Sequence, residues 1–378
     1  MKSLRAARAN LRNRPANNIP CLDFLRSIAI LLVITGHVGG SFPDPHIQKL
    51  PFVLFGWTGV DLFFVLSGFL IGGQLWKELD RSGTINVRRF IVRRGFRIWP
   101  LYFSVVIGLM LRDLVLKVPL RGFSSDIFFL SNYFRCKVGG GWSLSTEEQF
   151  YLLFPTILYV AWRLVRPERL VLIPIAWLIA LPLLRWLTIL TAATTSEEVI
   201  HKLTYTPLHT HSDGLAIGVI IAWIAIMRPS TMRASTRSNL VVLVLMLALA
   251  FTIRNCISRN LFAFTALALS YGGVAFVLLR TKRHPQLLNW PGFYVLSRLS
   301  YGMYLNHFGV VEHVVSPLQL LVGKSPIGFA ICWCVTLTVT SALAFLTFAW
   351  IELPFLNVRD RWSQPGTAIS DSKLPAQA

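Results

Sequence analysis

Long apolar runs recur along the whole chain and are separated by short polar segments. Several approach the roughly 20 residues that a helix needs to cross the hydrocarbon core of a bilayer. None shows the strict alternation that is typical of a strand. The pattern therefore predicts an all-α polytopic membrane protein with about ten transmembrane helices in one bundle. The predicted spans are 24–42, 51–76, 97–112, 149–163, 170–190, 209–227, 239–254, 260–279, 294–316 and 326–350.

The predicted bundle forms one domain, 1–362, which opens with a basic segment at 1–20. The first apolar run lacks an A-x-A cleavage site, so we interpret it as a retained span and not as a signal peptide. The segment 363–378 is rich in Pro, Ser and Ala, which predicts a disordered tail. Because the chain ends soon after the last run, we expect it to carry no fused extracytoplasmic domain.

Composition and charge support a membrane location. Charged residues make up 14% of the 378 residues, against about 25% in soluble domains. The formal net charge is +20, and cytoplasmic loops of membrane proteins are enriched in Lys and Arg. Placing both termini in the cytoplasm puts most basic residues on that side, including the rich segment 77–97. The arginines are dispersed and form no nucleic-acid-binding motif, so we expect no nucleic-acid partner.

Two ionisable residues lie on the first predicted span, Arg26 and His37 in LDFLRSIAILLVITGH. Eleven residues of α-helix turn through about 1100°, so the two side chains share one face and lie roughly 16 Å apart along the axis. Such groups are costly within a membrane and usually face a cavity or a partner. The alternatives are a snorkelling Arg26 paired with Asp23 and a His37 that is a packed core residue.

The second span contains GVDLFFVLSGFL, in which Asp61 is a candidate for chemistry or, alternatively, a helix cap. Its small residues predict close helix packing, and they are Ser67, Gly68, Gly72 and Gly73.

An arginine-rich segment, RRGFRIWPLY, precedes the third span and contains Arg93, Arg94, Arg97 and Tyr102. Guanidinium groups suit phosphate because their forked donors match its oxygens. Anchoring of the topology and binding of anionic lipid are the alternatives.

The segment WSLSTEEQFY places two carboxylates, Glu147 and Glu148, before an apolar run. Ser145 and Glu148 have the spacing of a capping box, which predicts that they begin the fourth span. This explanation leaves Glu147 without a role. The functional alternative is that one carboxylate orients a histidine or a substrate hydroxyl.

Three later segments carry ionisable residues in or near predicted spans. They are HSDGLAIG with Asp213, LSYGMYLNH with His307, and IELPF with Glu352. Intramembrane ionisable residues are functional candidates by default, although Glu352 has nearby arginines as simple partners.

In this order, the seven segments resemble the membrane acyltransferase-3 family, integral-membrane O-acyltransferases that modify bacterial sugars. The match runs from Leu22 to Phe355. The resemblance implies transfer of an acyl group, usually acetyl, from cytoplasmic acyl-CoA to a hydroxyl of an extracytoplasmic or lipid-linked saccharide. It also implies the bacterial inner membrane, with acetyl-CoA as donor and no metal. The acceptor, the acyl group and the oligomeric state stay open.

The family's arginine-and-histidine motif maps to Arg26 and His37, and its arginine-rich segment to Arg93, Arg94 and Arg97. One position departs from the family, because many relatives have Arg where this chain has His211, two residues before the Asp of the DGL motif.

The resemblance suggests a mechanism in which the arginines of the two motifs, with Tyr102, hold CoA. His37 is then a general base or carries the acyl group briefly. Glu148 or Asp61 would orient it, and His307 is a second candidate base. The predicted acceptor contacts are Trp142, Ser143, Glu147 and Asp213. A transporter or flippase of an anionic or lipid-linked solute and a non-catalytic scaffold are the alternatives.

Overall fold

The computed structural model describes residues 2–16, 18–192, 196–232, 259–281 and 286–362, and within these it contains helices and turns but no strand. Two π-helical turns, Val311–Val315 and Phe348–Glu352, interrupt the last third of the chain. The helices are α1 Lys2–Arg12, α2 Pro20–Gly40, α3 Pro45–Gln48, α4 Pro51–Leu54, α5 Gly59–Ser82, α6 Val87–Val115, α7 Phe123–Ile127, α8 Gly141–Trp162, α9 Leu172–Thr191, α10 Glu197–Tyr205, α11 Asp213–Met227, α12 Arg259–Arg280, α13 Pro291–Val310, α14 Ser316–Val322, α15 Pro326–Thr347 and α16 Leu353–Trp362.

The structure confirms an all-α multi-pass membrane protein, but it does not confirm ten spans. Among the described residues, six segments are long and apolar enough to cross a membrane. These are Pro20–Gly40, Gly56–Ser82, Val87–Val115, Pro167–Thr191, Asn260–Arg280 and Pro326–Trp362. The predicted span 239–254 and the predicted tail 363–378 lie outside the described residues.

Three predicted spans correspond to helices that do not meet the same test. The apolar helix α11 has only 15 residues. Helices α8 and α13 have 22 and 20 residues, and each carries polar side chains that lower its mean hydropathy. Both line the cavities described below. The polar positions that weaken the membrane signal therefore belong to the candidate site.

Helices α5 and α11 form the closest contact in the bundle, and glycines make it possible. A Cβ added to Gly68 would lie 2.1 Å from the carbonyl oxygen of Leu215, and one added to Gly218 would lie 2.2 Å from that of Val65. A larger residue at either position would separate the backbones. The packing predicted for Gly68 is thus confirmed, whereas Gly73 faces open space.

The predicted start of the fourth span is wrong. Helix α8 begins at Gly141, eight residues before the predicted position 149, and its N-cap is Gly140 with φ +71° and no side-chain cap. Ser145 is not a cap. It lies in the second turn, where its Oγ accepts a hydrogen bond from the Ser131 backbone N–H at 3.2 Å. The helix starts early because tertiary contacts with the preceding loop replace a local cap.

Asp126 organises that preceding loop. Its carboxylate accepts hydrogen bonds from the Lys137 backbone N–H at 2.7 Å and from the Ser131 hydroxyl at 2.8 Å. Burial raises the pKa of Asp126, and the hydrogen bond from Lys137 opposes that shift. The carboxylate joins the two ends of the loop that leads into α8, and it thereby helps to place the first turn of that helix.

Candidate active site

Two cavities of different chemistry lie inside the helical bundle. The first, which we name the arginine cavity, has a volume of about 940 Å³ including its open mouth. It is lined by four guanidinium groups, from Arg26 on α2, Arg94 and Arg97 on α6, and Arg298 on α13. Ser67, Ser143, Glu147, Tyr151, Tyr301, Tyr304 and Glu352 also line it. Three helices distant in the chain thus direct cations into one space.

The cations of the arginine cavity are poorly paired by the protein. Within the described part of the chain, Arg26 and Arg97 make no hydrogen bond or ion pair, and two buried nitrogens of Arg94, Nε and Nη2, have no partner. Arg298 donates from Nη2 to Asn10 Oδ1 at 3.1 Å, while its buried Nε has no partner. Unpaired buried charges are costly, so the cavity is suited to receive an anion.

Two carboxylates line the same cavity, and they are fewer than the arginines. Glu147 accepts hydrogen bonds from the Ser67 hydroxyl at 2.7 Å and from the Tyr151 hydroxyl at 2.9 Å. Glu352 keeps a buried Oε1 that has no partner among the described residues. With four guanidinium groups against two carboxylates, the lining carries an excess of positive charge. Planar, forked donors in this number favour a ligand with several phosphate oxygens.

The second cavity, which we name the aromatic cavity, has a volume of about 1660 Å³ including its open mouth. Its walls are mostly rings, with a few polar groups between them. They comprise His37, Phe55, Trp57, Trp142, His201, Tyr205, Asn260, Phe264, Tyr304 and Phe308. Aromatic faces with isolated polar groups bind ligands that have both apolar and polar surfaces.

His37 is oriented by a backbone carbonyl. Its Nδ1 lies 2.8 Å from the carbonyl oxygen of Val33, and because a carbonyl only accepts, Nδ1 carries the proton. The neutral ring therefore keeps a lone pair on Nε2, as a general base requires. Phe308 and His307 pack beside the ring, with centroid distances of 4.4 and 4.9 Å.

The two carboxylates expected to orient His37 have other partners. Glu148 Oε2 accepts a hydrogen bond from the Trp99 indole at 2.8 Å. Asp61 Oδ1 lies 2.8 Å from His211 Nε2, and both side chains are buried. Sequence spacing did not show these pairings, because each joins segments that are far apart in the chain.

His211, the position that departs from the family, pairs with a buried acid. Its Nδ1 faces the carbonyl oxygen of Tyr205, and its Nε2 faces Asp61. Two acceptors at 2.8 Å would repel each other, so a proton lies between Nε2 and the carboxylate. At this position a histidine thus forms a buried hydrogen bond with Asp61.

Several predicted site residues line neither cavity. Asp213 forms a buried ion pair with Arg185, with Nη1 to Oδ2 at 2.9 Å. Tyr102 donates to the Asp126 carbonyl oxygen at 3.0 Å and stacks on Phe129. The remaining predicted residues outside the lining are Arg93, Glu148, Asp61 and His307.

Sequence reasoning missed several lining residues, among them Arg298 and Tyr304. Arg298 is a charge within a predicted span, and that signal alone should have marked it as a functional candidate. Tyr304 lies within the segment LSYGMYLNH, but no local pattern distinguishes it from Tyr301. Only the packing of α13 shows that it borders both cavities.

Comparison with known proteins agrees with the resemblance. The chain is 28% identical over 371 residues to the candidate peptidoglycan O-acetyltransferase YrhL of Bacillus subtilis, covering 89% of this chain and 54% of YrhL. It is 26% identical over 378 residues to the peptidoglycan O-acetyltransferase OatA of Listeria monocytogenes, covering 89% of this chain and 55% of OatA. The chain therefore spans little more than half the length of these relatives. No solved structure matches it at a significant level.

A family model described as an acyltransferase domain matches residues 19–348. This match covers most of the chain, including α2 with Arg26 and His37 and the other three arginines of the arginine cavity. It confirms the resemblance that the seven segments indicated. The chain belongs to the acyltransferase-3 family of membrane proteins.

Proposed function

We propose that this protein is a membrane O-acetyltransferase that moves an acetyl group from cytoplasmic acetyl-CoA to a hydroxyl of an extracytoplasmic glycan. One observation carries the proposal: the arginine cavity and the aromatic cavity meet inside the bundle, and both Val60 and Tyr304 line each of them. Arg26 and His37, on the single helix α2, line one cavity each. A passage between these adjoining cavities would let two substrates of different chemistry meet without crossing the membrane.

The arginine cavity is the proposed site for the donor. The phosphates of CoA would bind Arg26, Arg94, Arg97 and Arg298. The protein supplies too few acceptors for the N–H donors of these four side chains. The slender pantetheine arm would then extend toward the junction of the two cavities. The excess of Lys and Arg in the segment 77–97 favours a cytoplasmic position for this end of the bundle, with both termini cytoplasmic in the inner membrane.

The aromatic cavity is the proposed site for the acceptor. The faces of sugar rings are apolar and their edges carry hydroxyls, so they suit a wall in which Trp57 and Trp142 alternate with polar groups such as Asn260. The relatives that are named peptidoglycan O-acetyltransferases favour a peptidoglycan-like glycan as the acceptor. Its hydroxyl would reach His37 from this side.

The proposed reaction is a direct acyl transfer. His37 Nε2 removes the proton of the glycan hydroxyl while that oxygen attacks the carbonyl carbon of the thioester. A C–O bond forms and the C–S bond breaks. The proton on His37 then passes to the departing CoA sulfur, so that the histidine returns to its neutral form. The Val33 carbonyl keeps the proton on Nδ1 throughout and thus keeps Nε2 available.

The test compares two histidine variants in purified protein reconstituted in lipid vesicles. His37 lines the aromatic cavity, while the exposed His46 lies outside both cavities. We expect His37→Ala to lower acetylation of peptidoglycan fragments by about 10²–10⁴-fold, with CoA affinity unchanged, because His37 lies outside the arginine cavity. His46→Ala should match the wild type. Full turnover in a folded His37→Ala variant would contradict the proposed mechanism.

A further inference from the structure

The junction of the two cavities contains one polar side chain. Among the described residues, Val60 and Tyr304 are the side chains that line both cavities. Val60 is apolar, so the hydroxyl of Tyr304 is the hydrogen-bonding group that the two spaces share. The side chain is 7% exposed, which places its hydroxyl in a largely desolvated position. Any group that passes between the cavities comes close to this hydroxyl.

The Tyr304 hydroxyl belongs to a small network that leaves it able to donate. It lies 2.6 Å from Ser143 Oγ and 3.2 Å from the Gly140 carbonyl oxygen, and Ser143 Oγ lies 3.1 Å from the same carbonyl. The network holds two hydroxyl protons, and the Ser143 hydroxyl can donate its own to the Tyr304 oxygen across the 2.6 Å contact. The proton of Tyr304 is then available for a ligand, while Ser143 keeps the phenol in place.

The backbone at Gly140 makes this network possible. Gly140 has φ +71°, a region that side chains rarely adopt, and an added Cβ would lie 2.9 Å from the Tyr304 hydroxyl oxygen. Its carbonyl can approach the phenol because this position has no side chain. The same turn of α13 also orients His307, because its Nδ1 donates to the Tyr304 carbonyl oxygen.

We propose that Tyr304 is a catalytic residue whose hydroxyl donates a hydrogen bond to the carbonyl oxygen of the acyl thioester, with Ser143 as its positioning residue. This inference rests on the proposed function. With CoA in the arginine cavity and the glycan hydroxyl in the aromatic cavity, the reacting carbonyl must stand at the junction. Tyr304 is the polar group that borders that point from both sides.

The hydrogen bond acts on the charge that develops during the reaction. When the glycan oxygen bonds to the carbonyl carbon, the π-electron pair moves to the carbonyl oxygen, which becomes an oxyanion. A fixed donor in a water-poor site stabilises that charge more strongly than it stabilises the neutral carbonyl. The pair returns as the C–S bond breaks and the sulfur leaves. Tyr304 keeps its proton throughout, because His37 carries out the proton transfer.

Two other tyrosines of the arginine cavity already donate hydrogen bonds to other acceptors. Tyr151 donates to Glu147 Oε2 at 2.9 Å, and Tyr301 donates to the Ile98 carbonyl oxygen at 2.8 Å. Neither lines the aromatic cavity. Their hydroxyls therefore do not compete for the role assigned to Tyr304.

The test is the steady-state kinetics of Tyr304→Phe in reconstituted full-length protein, with acetyl-CoA and peptidoglycan fragments. We expect kcat to fall by about 10²–10³-fold, the usual cost of one oxyanion donor, with the KM for acetyl-CoA unchanged. We expect kcat to change and KM to stay the same because the hydrogen bond strengthens only as the oxyanion forms. Tyr271→Phe is the matched control, since it removes a partly buried hydroxyl that forms a hydrogen bond with Thr58, and Tyr271 lines neither cavity.

Ser143→Ala provides a second, independent measurement and decides the matter if Tyr304→Phe does not fold. It should lower kcat by a smaller factor, again without changing the KM for acetyl-CoA. An unchanged kcat in folded Tyr304→Phe, or a raised KM with normal kcat, overturns the inference and leaves the proposed function intact. An unchanged kcat in Ser143→Ala overturns it when Tyr304→Phe is not folded. Absence of acetyl-CoA turnover in the wild type overturns both proposals.

Discussion

Arg185 and the four arginines of the arginine cavity differ in how many hydrogen-bond partners the protein gives them. Arg185 on α9 is fully buried, and both of its terminal nitrogens are engaged. They bind both oxygens of Asp213, the carbonyl oxygen of Thr210 and the hydroxyl of Thr265, while Nε has no partner among the described residues. The guanidinium groups of the arginine cavity have almost no such partners. Arg26 and Arg97 make no hydrogen bond within the described residues. The protein thus supplies a carboxylate to the guanidinium of Arg185 but no anion to those of Arg26 and Arg97.

The difference separates a structural charge from a functional one. A buried charge without a partner lowers stability, and a protein keeps such an arrangement only where something else supplies the partner. For Arg185 the partner is Asp213, so we expect removal of either residue to destabilise the bundle. In the arginine cavity the partner is the proposed anionic donor, so removing one cation should affect binding and not folding. Three experiments test this distinction.

The largest expected effect is on stability, when the Arg185–Asp213 pair is broken. We expect Asp213→Ala to lower the free energy of unfolding by about 3–5 kcal/mol, because a buried guanidinium then loses its carboxylate. The measurement is denaturant unfolding of detergent-solubilised protein. Asp80→Ala, which removes an exposed acid, is the control. The double variant Arg185→Met/Asp213→Leu should recover much of the loss. Equal stability of Asp213→Ala and the wild type would mean that the pair is not structural.

The next effect is on ligand binding, when one cation of the arginine cavity is removed. We expect Arg97→Met to weaken CoA binding by about 1.5–3 kcal/mol, the range for hydrogen bonds to charged groups. Its free energy of unfolding without ligand should equal or exceed that of the wild type, since an unpaired charge is lost. Titration calorimetry gives the affinity, and unfolding gives the stability. A destabilised Arg97→Met with normal CoA affinity would reverse the assignment.

The smallest effect is expected for Arg93, which lies about one helical turn before Arg97. Arg93 is four residues before Arg97 in the same helix, yet it does not line the cavity. Arg93→Met should change CoA affinity and stability by no more than about 0.5 kcal/mol, as surface substitutions usually do. The pair therefore compares two arginines of one helix face that differ mainly in their position along the axis. A loss of CoA affinity equal to that of Arg97→Met would show that net charge, and not the cavity, governs binding.

Much of the architecture could be predicted from local patterns. The first span was predicted at 24–42 and lies at Pro20–Gly40, and the last was predicted at 326–350, where helix α15 begins at Pro326. The glycines of GVDLFFVLSGFL indicated a close helix contact, and Gly68 forms one. The start of α8 was predicted wrongly because a local capping rule was applied to a helix that long-range contacts position. The ten-span count is not confirmed. Polar site residues lower the hydropathy of α8 and α13, α11 has only 15 residues, and 239–254 lies outside the described residues.

The sequence by itself determined the class of the protein, the face shared by Arg26 and His37, and the segments that indicate its family. These features depend on residues that are neighbours in the chain or one helical repeat apart, so periodicity and spacing are enough to show them. The tertiary structure alone decided that Glu148 binds Trp99, that Asp61 binds His211, and that Tyr304 stands where the two cavities meet. Those partners lie on segments that are far apart in the chain, and their contacts depend on how the helices pack, which no local pattern contains.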